Sequence, residues 1–208
     1  MGIMKSLFSN TKKPDGWMGR MMVNSMNSGH AKVSDWGLSH LSGIQPVEIV
    51  ELGCGGGRTA AKLLQRYPKA RLTAVDYSDV SVEKTSQVNR KEIQAERCQV
   101  VQGDVSSLVF KEERFDLATA FETIYFWPGP VDSFREVYRV LKRGGTFLIV
   151  NESDGQNKSD EKWTHIIDGM RVYTAEMLRQ SLSEAGFGSI AIDCDEKNHW
   201  LCALARKQ

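Results

Sequence analysis

The 208-residue chain is short of proline (5) and cysteine (4), and neither charge dominates: 27 Lys+Arg face 26 Asp+Glu, a formal net charge of +1. Each shortage excludes something. Nucleic-acid binders carry a basic excess or stripe, and no dense Lys/Arg run occurs here, so no nucleic-acid partner is expected. Cys54, Cys98, Cys194 and Cys202 lie far apart and form no CxxC pair. Neither a zinc site nor a secreted disulfide framework is suggested; free thiols in a reducing cytoplasm are expected, with no metal. No apolar run approaches the ~18 residues that span a bilayer, so no membrane association is expected. The start, Met1-Gly2-Ile3-Met4-Lys5-Ser6, matches the short myristoylation pattern MGxxxS but lacks the apolar core of a signal peptide.

What remains is a chain with 41% hydrophobic residues and 18 glycines, long enough for one domain with a layered core. From Val47 onward, short β-rich runs alternate with helical patterns. Val47 to Leu52 reads as a first strand, followed by a glycine turn. Ala60, Leu63, Leu64 and Tyr67 then mark one helical face, which Pro68 ends. Leu72 to Val75 reads as a second strand ending at Asp76, and Ser78 as the N-cap of a long polar helix to about Glu96. Gln99 to Gln102 and Phe115 to Phe121 are the third and fourth strands. Val131, Phe134, Val137, Tyr138 and Leu141 line a helix with Lys142 and Arg143 near its end and Gly144 as its stop, before a fifth strand, Thr146 to Val150.

This alternation predicts right-handed crossovers and a parallel sheet with helices on both faces. The tail adds a helix capped by Thr174 and stopped by Gly186. Two further runs, Ile190 to Asp193 and Trp200 to Ala205, are too close for a crossover helix, so they are expected to pair antiparallel. A ligand is expected beyond the carboxyl ends of the strands, beside strand one.

The turn Glu51-Leu52-Gly53-Cys54-Gly55-Gly56-Gly57 lets a ligand approach backbone without Cβ obstruction. The dinucleotide fingerprint GxGxxG fails because position 58 is Arg58, and no GK[ST] follows to make a phosphate loop. Asp76, about twenty residues on, is placed to accept two hydrogen bonds from a ribose diol; the competing reading is a helix cap, for which Ser78 also stands ready. Gly103-Asp104-Val105 puts another carboxylate at the end of strand three, where Asp104 suits an adenine amine and the Val105 N–H a ring nitrogen.

Together with Ala74-Val75-Asp76-Tyr77-Ser78, Phe115-Asp116-Leu117 and Leu141-Lys142-Arg143-Gly144-Gly145, these segments resemble the ordered motifs of class I S-adenosylmethionine-dependent methyltransferases. Within that class the chain is most similar to small-molecule enzymes of the ubiquinone-biosynthesis-like, methyltransferase type 11 group, over about residues 44 to 205. The resemblance implies a Rossmann-like α/β three-layer sandwich whose seven-stranded, mostly parallel sheet has an antiparallel last strand. It implies S-adenosylmethionine as cofactor and S-adenosylhomocysteine as product. Gly53 and Gly55 would pass the methionine part, Glu51 would lie near its amino group, and Asp76 would hold the ribose. Tyr77 would lie against the adenine, Asp104 and Val105 would read its edge, and Phe121 and Glu122 would border the methionine.

The domain is expected over 44–208, with 1–43 as a helical N-terminal lid. Residues 15–41 hold four of the eight methionines, two of the five tryptophans and His30, the first candidate for a base or acceptor contact. Tyr125 and Trp127, in the aromatic exit of strand four, either line an acceptor pocket or pack a helix. Trp163, His165, Met170 and Tyr173 are candidates for the remaining wall. The expected activity is methyl transfer to a small-molecule acceptor. A cofactor-binding regulator without chemistry, a protein or RNA methyltransferase and an NAD-dependent enzyme stay open as alternatives.

Overall fold

The computed structural model of the protein describes residues 30–157, 160, 164, 165, 167 and 169–208. The myristoylation pattern, most of the expected lid and Trp163 therefore lie outside the described residues.

Seven strands form one sheet: β1 (Glu48–Leu52), β2 (Arg71–Asp76), β3 (Cys98–Gln102), β4 (Phe115–Phe121), β5 (Leu141–Asn151), β6 (Ser189–Asp195) and β7 (Trp200–Arg206). Their spatial order is β3-β2-β1-β4-β5-β7-β6. Neighbours from β3 through β5 pair in parallel, while β7 runs antiparallel to both β5 and β6. The expected hairpin is present, and its second strand inserts beside β5. The helices are α1 (Ala31–Ser39), α2 (Arg58–Arg66), α3 (Asp79–Val88), α4 (Arg90–Gln94), α5 (Pro130–Val140) and α6 (Ala175–Glu184).

Strands buried on both faces need a helical layer on each side, and two apolar clusters provide the contacts. On one side Phe134 and Val137 of α5 and Leu178 and Leu182 of α6 pack with Phe115, Phe147 and Phe187. On the other, Val33 and Leu38 of α1 and Leu63 and Leu64 of α2 pack with Ile49, Leu72, Leu117 and Leu148. The helical periodicity read from the sequence thus marks the buried stripe of α2, where Ala60, Leu63 and Leu64 have no exposed surface. Gly37 lets α1 sit close on the sheet, because a Cβ there would lie 2.3 Å from Val150 Cγ2. Residues 31–41 of the expected lid are therefore built into this layer.

Two boundaries differ from the sequence reading. The long helix after Ser78 breaks at Asn89 into α3 and α4. The Asn89 amide donates to the carbonyls of Thr85 and Gly57, both at 3.0 Å, so a side chain takes over where the helix would continue. The expected helix end at Lys142, Arg143 and Gly144 is also displaced: α5 stops at Val140, and Leu141 already pairs with Phe115. An irregularity follows before Thr146 pairs with Leu117, and Lys142 turns its ammonium to Asp116 at 2.8 Å instead of capping the helix.

Candidate active site

All the strand-exit residues lie on the carboxyl edge of the sheet, around the point where chain order reverses between β1 and β4. A cavity of about 330 Å³ opens there. Glu51, Gly53, Gly55, Asp76, Tyr77, Asp104, Val105, Phe121 and Glu122 all line it, and so does His30. The structure thus gathers every proposed cofactor residue onto one wall system. Trp127 joins it with Phe126 and Pro128, while also stacking on Phe147 with centroids 6.1 Å apart. Trp127 thus lines the cavity and packs in the core at once.

The glycine turn is shaped by its backbone. Gly53, Gly55 and Gly57 have φ of 78°, 49° and 75°, a region side chains rarely adopt. Gly53 N and Cys54 N donate to Val75 O at 2.8 and 3.0 Å, tying the turn to the end of β2. Thr85 Oγ1 donates to Gly55 O at 3.0 Å, and with Asn89 on Gly57 O it fixes the outer side of the turn to α3. Gly55 itself faces open space, with no atom within 4 Å of where a Cβ would be.

Asp76 is 6% exposed and already has two partners. Its Oδ2 accepts from Gly55 N at 2.9 Å and its Oδ1 from Ser78 N at 3.0 Å. Ser78, not Asp76, caps α3 through Ser81 N. Burial raises the Asp76 pKa despite these hydrogen bonds. Asp104 is exposed and holds Ser106 N and Ser106 Oγ on Oδ1 at 2.8 and 2.7 Å, which leaves Oδ2 for a ligand.

Glu51 is 2% exposed, and its Oε2 has no hydrogen-bond partner among the described residues. Burial, reinforced by the Asp76 carboxylate, holds its pKa well above the ordinary value. The sign of the linkage follows. The unfolded chain ionises Glu51 at an ordinary carboxylate pH, whereas the folded chain still holds the proton. Between the two values, rising pH favours unfolding. Glu51→Gln is expected to remove its share of that slope and to stabilise the ligand-free protein by on the order of 1 kcal/mol at neutral pH. Urea unfolding of both proteins across a pH series measures it; identical slopes would refute the assignment.

His30 and Glu122, both on the cavity wall, form a cluster with Glu152 beside it. His30 Nδ1 lies 3.4 Å from Glu122 Oε2 and 3.7 Å from Glu152 Oε2. Burial lowers the imidazole pKa, but the two carboxylates outweigh it and the net shift is upward. Burial pushes Glu122 up to about 7, with His30 opposing. Tyr125 is not on the cavity wall: it is 4% exposed, and its hydroxyl donates to Glu122 Oε2 at 3.4 Å from behind. Tyr173 is buried in the core at 1% exposure, and neither it, His165 nor Met170 lines the cavity.

The sequence reading missed Glu152, Thr123, Thr85 and Asn89. Glu152 had a signal, since it leaves β5 as Asp76 leaves β2. The others are tertiary partners of backbone atoms, for which spacing carries no mark.

Fold and site together define a doubly wound α/β protein with a glycine-turn cavity over the switch point of its sheet. Residues 50–149 match the family model described as "Methyltransferase domain". Over 181 residues, covering 80% of this chain and 48% of the relative, the chain is 25% identical to sterol 24-C-methyltransferase of Kluyveromyces lactis. It is 29% identical over 111 residues to malonyl-[acyl-carrier protein] O-methyltransferase of Priestia megaterium, covering 53% of this chain and 39% of that one. The chain thus spans about half or less of the length of these relatives. A chain of the complex between the Haloferax volcanii Trm112 methyltransferase activator and a methyltransferase superposes with a TM-score of 0.78 at 18% identity, covering 89% of this chain and 93% of that one. Nearly half of the chain therefore matches a methyltransferase domain, and in fold and sequence it is similar to the class I S-adenosylmethionine-dependent methyltransferases.

Proposed function

We propose that the protein transfers a methyl group from S-adenosylmethionine to a small-molecule acceptor by in-line displacement. The observation that carries this reading is the convergence of nine strand-exit residues on one cavity whose other end is walled by Phe126, Trp127 and Pro128. The residues fit the cofactor chemically. An unpartnered, buried Glu51 oxygen suits an ammonium, Asp76 suits a diol, and Gly55 leaves room for a ligand where a Cβ would project.

When bound, S-adenosylmethionine supplies a methyl group activated on a sulfonium. The chain's own task is then alignment and exclusion of water. Asp76 would hold the ribose and, through Gly55 N, the turn beneath it. Asp104 and Val105 would select adenine, and Tyr77 would cover it. The aromatic exit of β4 would seat the acceptor, with His30 in contact with it and Tyr125 positioning Glu122. The lid belongs to this proposal for the part of 1–43 that precedes α1, since α1 itself is packed on the sheet and His30, just before it, lines the cavity. A base is needed only if the acceptor loses a proton during attack.

A small acceptor is supported by the near-zero net charge and by relatives named for sterol methylation. Two measurements test the proposal. Titration calorimetry is expected to show binding of both S-adenosylmethionine and S-adenosylhomocysteine, and binding of neither would sink it. Methyl-labelled cofactor incubated with a metabolite panel is expected to label a small molecule; label only in protein or RNA would overturn the acceptor class.

A further inference from the structure

His30, Glu122 and Glu152 come from three distant parts of the chain: the residue before α1, the exit of β4 and the exit of β5. One ligand atom from each lies within 4.8 Å of the others. Donor atoms sharing a divalent ion at about 2.1 Å stand roughly 3 to 3.5 Å apart; the two His30 separations, 3.4 and 3.7 Å, are already close to this, and the half-exposed Glu152 side chain is free to complete the set. Glu122 is nine-tenths buried, and its Oε1 has no hydrogen-bond partner among the described residues. His30 Nδ1 likewise completes no hydrogen bond of good geometry.

The surroundings hold Glu122 in this orientation. Its φ is +58°, unusual for a residue with a side chain, and its N–H is tied to Val150 O at 2.9 Å. The Tyr125 hydroxyl donates to Oε2 and in turn accepts from Ser153 N at 3.3 Å, a relay of the kind that orients metal ligands. Strained backbone and a buried relay therefore aim a carboxylate at a second carboxylate with an imidazole as the bridging group. A cation held at Oε2 relieves the repulsion, and bidentate coordination by Glu122 would also give the unpartnered Oε1 a partner.

We infer that His30, Glu122 and Glu152 form a divalent-cation site of one nitrogen and two carboxylate ligands at the acceptor end of the cavity. Imidazole with carboxylates suits first-row ions such as Mn²⁺. Three protein ligands leave coordination positions for oxygen atoms of an acceptor. The acceptor role rests on the methyl-transfer reading, but ion binding is measured without cofactor.

The probe is Mn²⁺, since the exposed thiol of Cys194 would compete for softer zinc. Chelator-treated full-length protein is titrated with MnCl₂, and free Mn²⁺ is read by electron paramagnetic resonance. One equivalent is expected to bind. Glu152→Gln, at a half-exposed side chain that folding tolerates, and His30→Ala are each expected to weaken binding by on the order of tenfold or more. Thermal melting confirms that both variants are folded. Absence of Mn²⁺ binding by the parent protein, or equal affinity in both folded variants, would overturn the site. Neither result touches the S-adenosylmethionine titration, so the two proposals fail separately.

Discussion

Asp76→Ala is expected to weaken S-adenosylmethionine binding by about 1–3 kcal/mol, roughly 5- to 150-fold in Kd. The loss has two physical parts. A carboxylate that would accept from ribose is removed, and Gly55 N and Ser78 N lose the acceptors they hold at 2.9 and 3.0 Å. The second part loosens the turn on which the methionine end would rest. Asp76→Asn separates them. Its amide retains one oxygen, so one of the two backbone N–H groups keeps an acceptor and affinity is expected to fall less than for alanine. Because burial raises the Asp76 pKa, removing the charge also relieves a cost in the ligand-free fold. The alanine variant is therefore expected to lose affinity without a matching loss of melting temperature. Calorimetric titration beside thermal melting checks this; full affinity in a folded Asp76→Ala would move the ribose elsewhere.

Gly53→Ala is expected to act on the fold and the site together. The new Cβ would stand 2.1 Å from Thr123 Oγ1 and 2.6 Å from Thr123 Cβ, on a backbone with φ +78°. Overpacking of this kind costs about 1–3 kcal/mol, and the left-handed backbone adds roughly 1–2 kcal/mol for a residue bearing Cβ. Thr123 cannot simply turn away, because its Oγ1 accepts from Trp127 Nε1 at 3.2 Å and its Cβ is itself in the way. A clear drop in unfolding free energy is expected in urea, together with loss of cofactor binding. Gly55→Ala is the comparison, since its Cβ would meet nothing and only the backbone strain and the cavity space are at stake. If Gly53→Ala proves no less stable than Gly55→Ala, the close approach of β1 and β4 at Thr123 is misplaced.

Much of the fold was legible because its signals are local. The exit of β2 at Asp76, the full extent of β4 and the cap of α6 at Thr174 were all readable from run length, turn residues and capping chemistry. The failures were places where a distant atom decides. Asn89 ends a helix because the Gly57 carbonyl is there to receive its amide. Lys142 leaves a helix end because Asp116 offers a carboxylate, itself held by the N–H groups of Val47 and Glu48 at 3.0 and 2.8 Å. Tyr125 and Trp127 looked alike in sequence, yet the turn Ile124–Phe126 sends one behind Glu122 and the other onto the cavity wall.

The candidate site divides in the same way. The nine residues proposed for the cofactor lie at or beside strand ends, so the rule that ligands sit beyond the carboxyl edge of a parallel sheet accounts for their lining one cavity. Glycine where no side chain fits and carboxylates where strands stop are properties of the chain itself. The meeting of His30, Glu122 and Glu152 is not, for nothing in their spacing of 92 and 30 residues relates them. It arises because α1 packs on β5 through Gly37 and Val150, carrying His30 to the exits of β4 and β5. The spread of the four cysteines, with no CxxC pair, had suggested no metal. That expectation came from spacing along the chain, which is blind to proximity; ligand atoms a few ångströms apart are a product of packing, and only the tertiary structure brings them together.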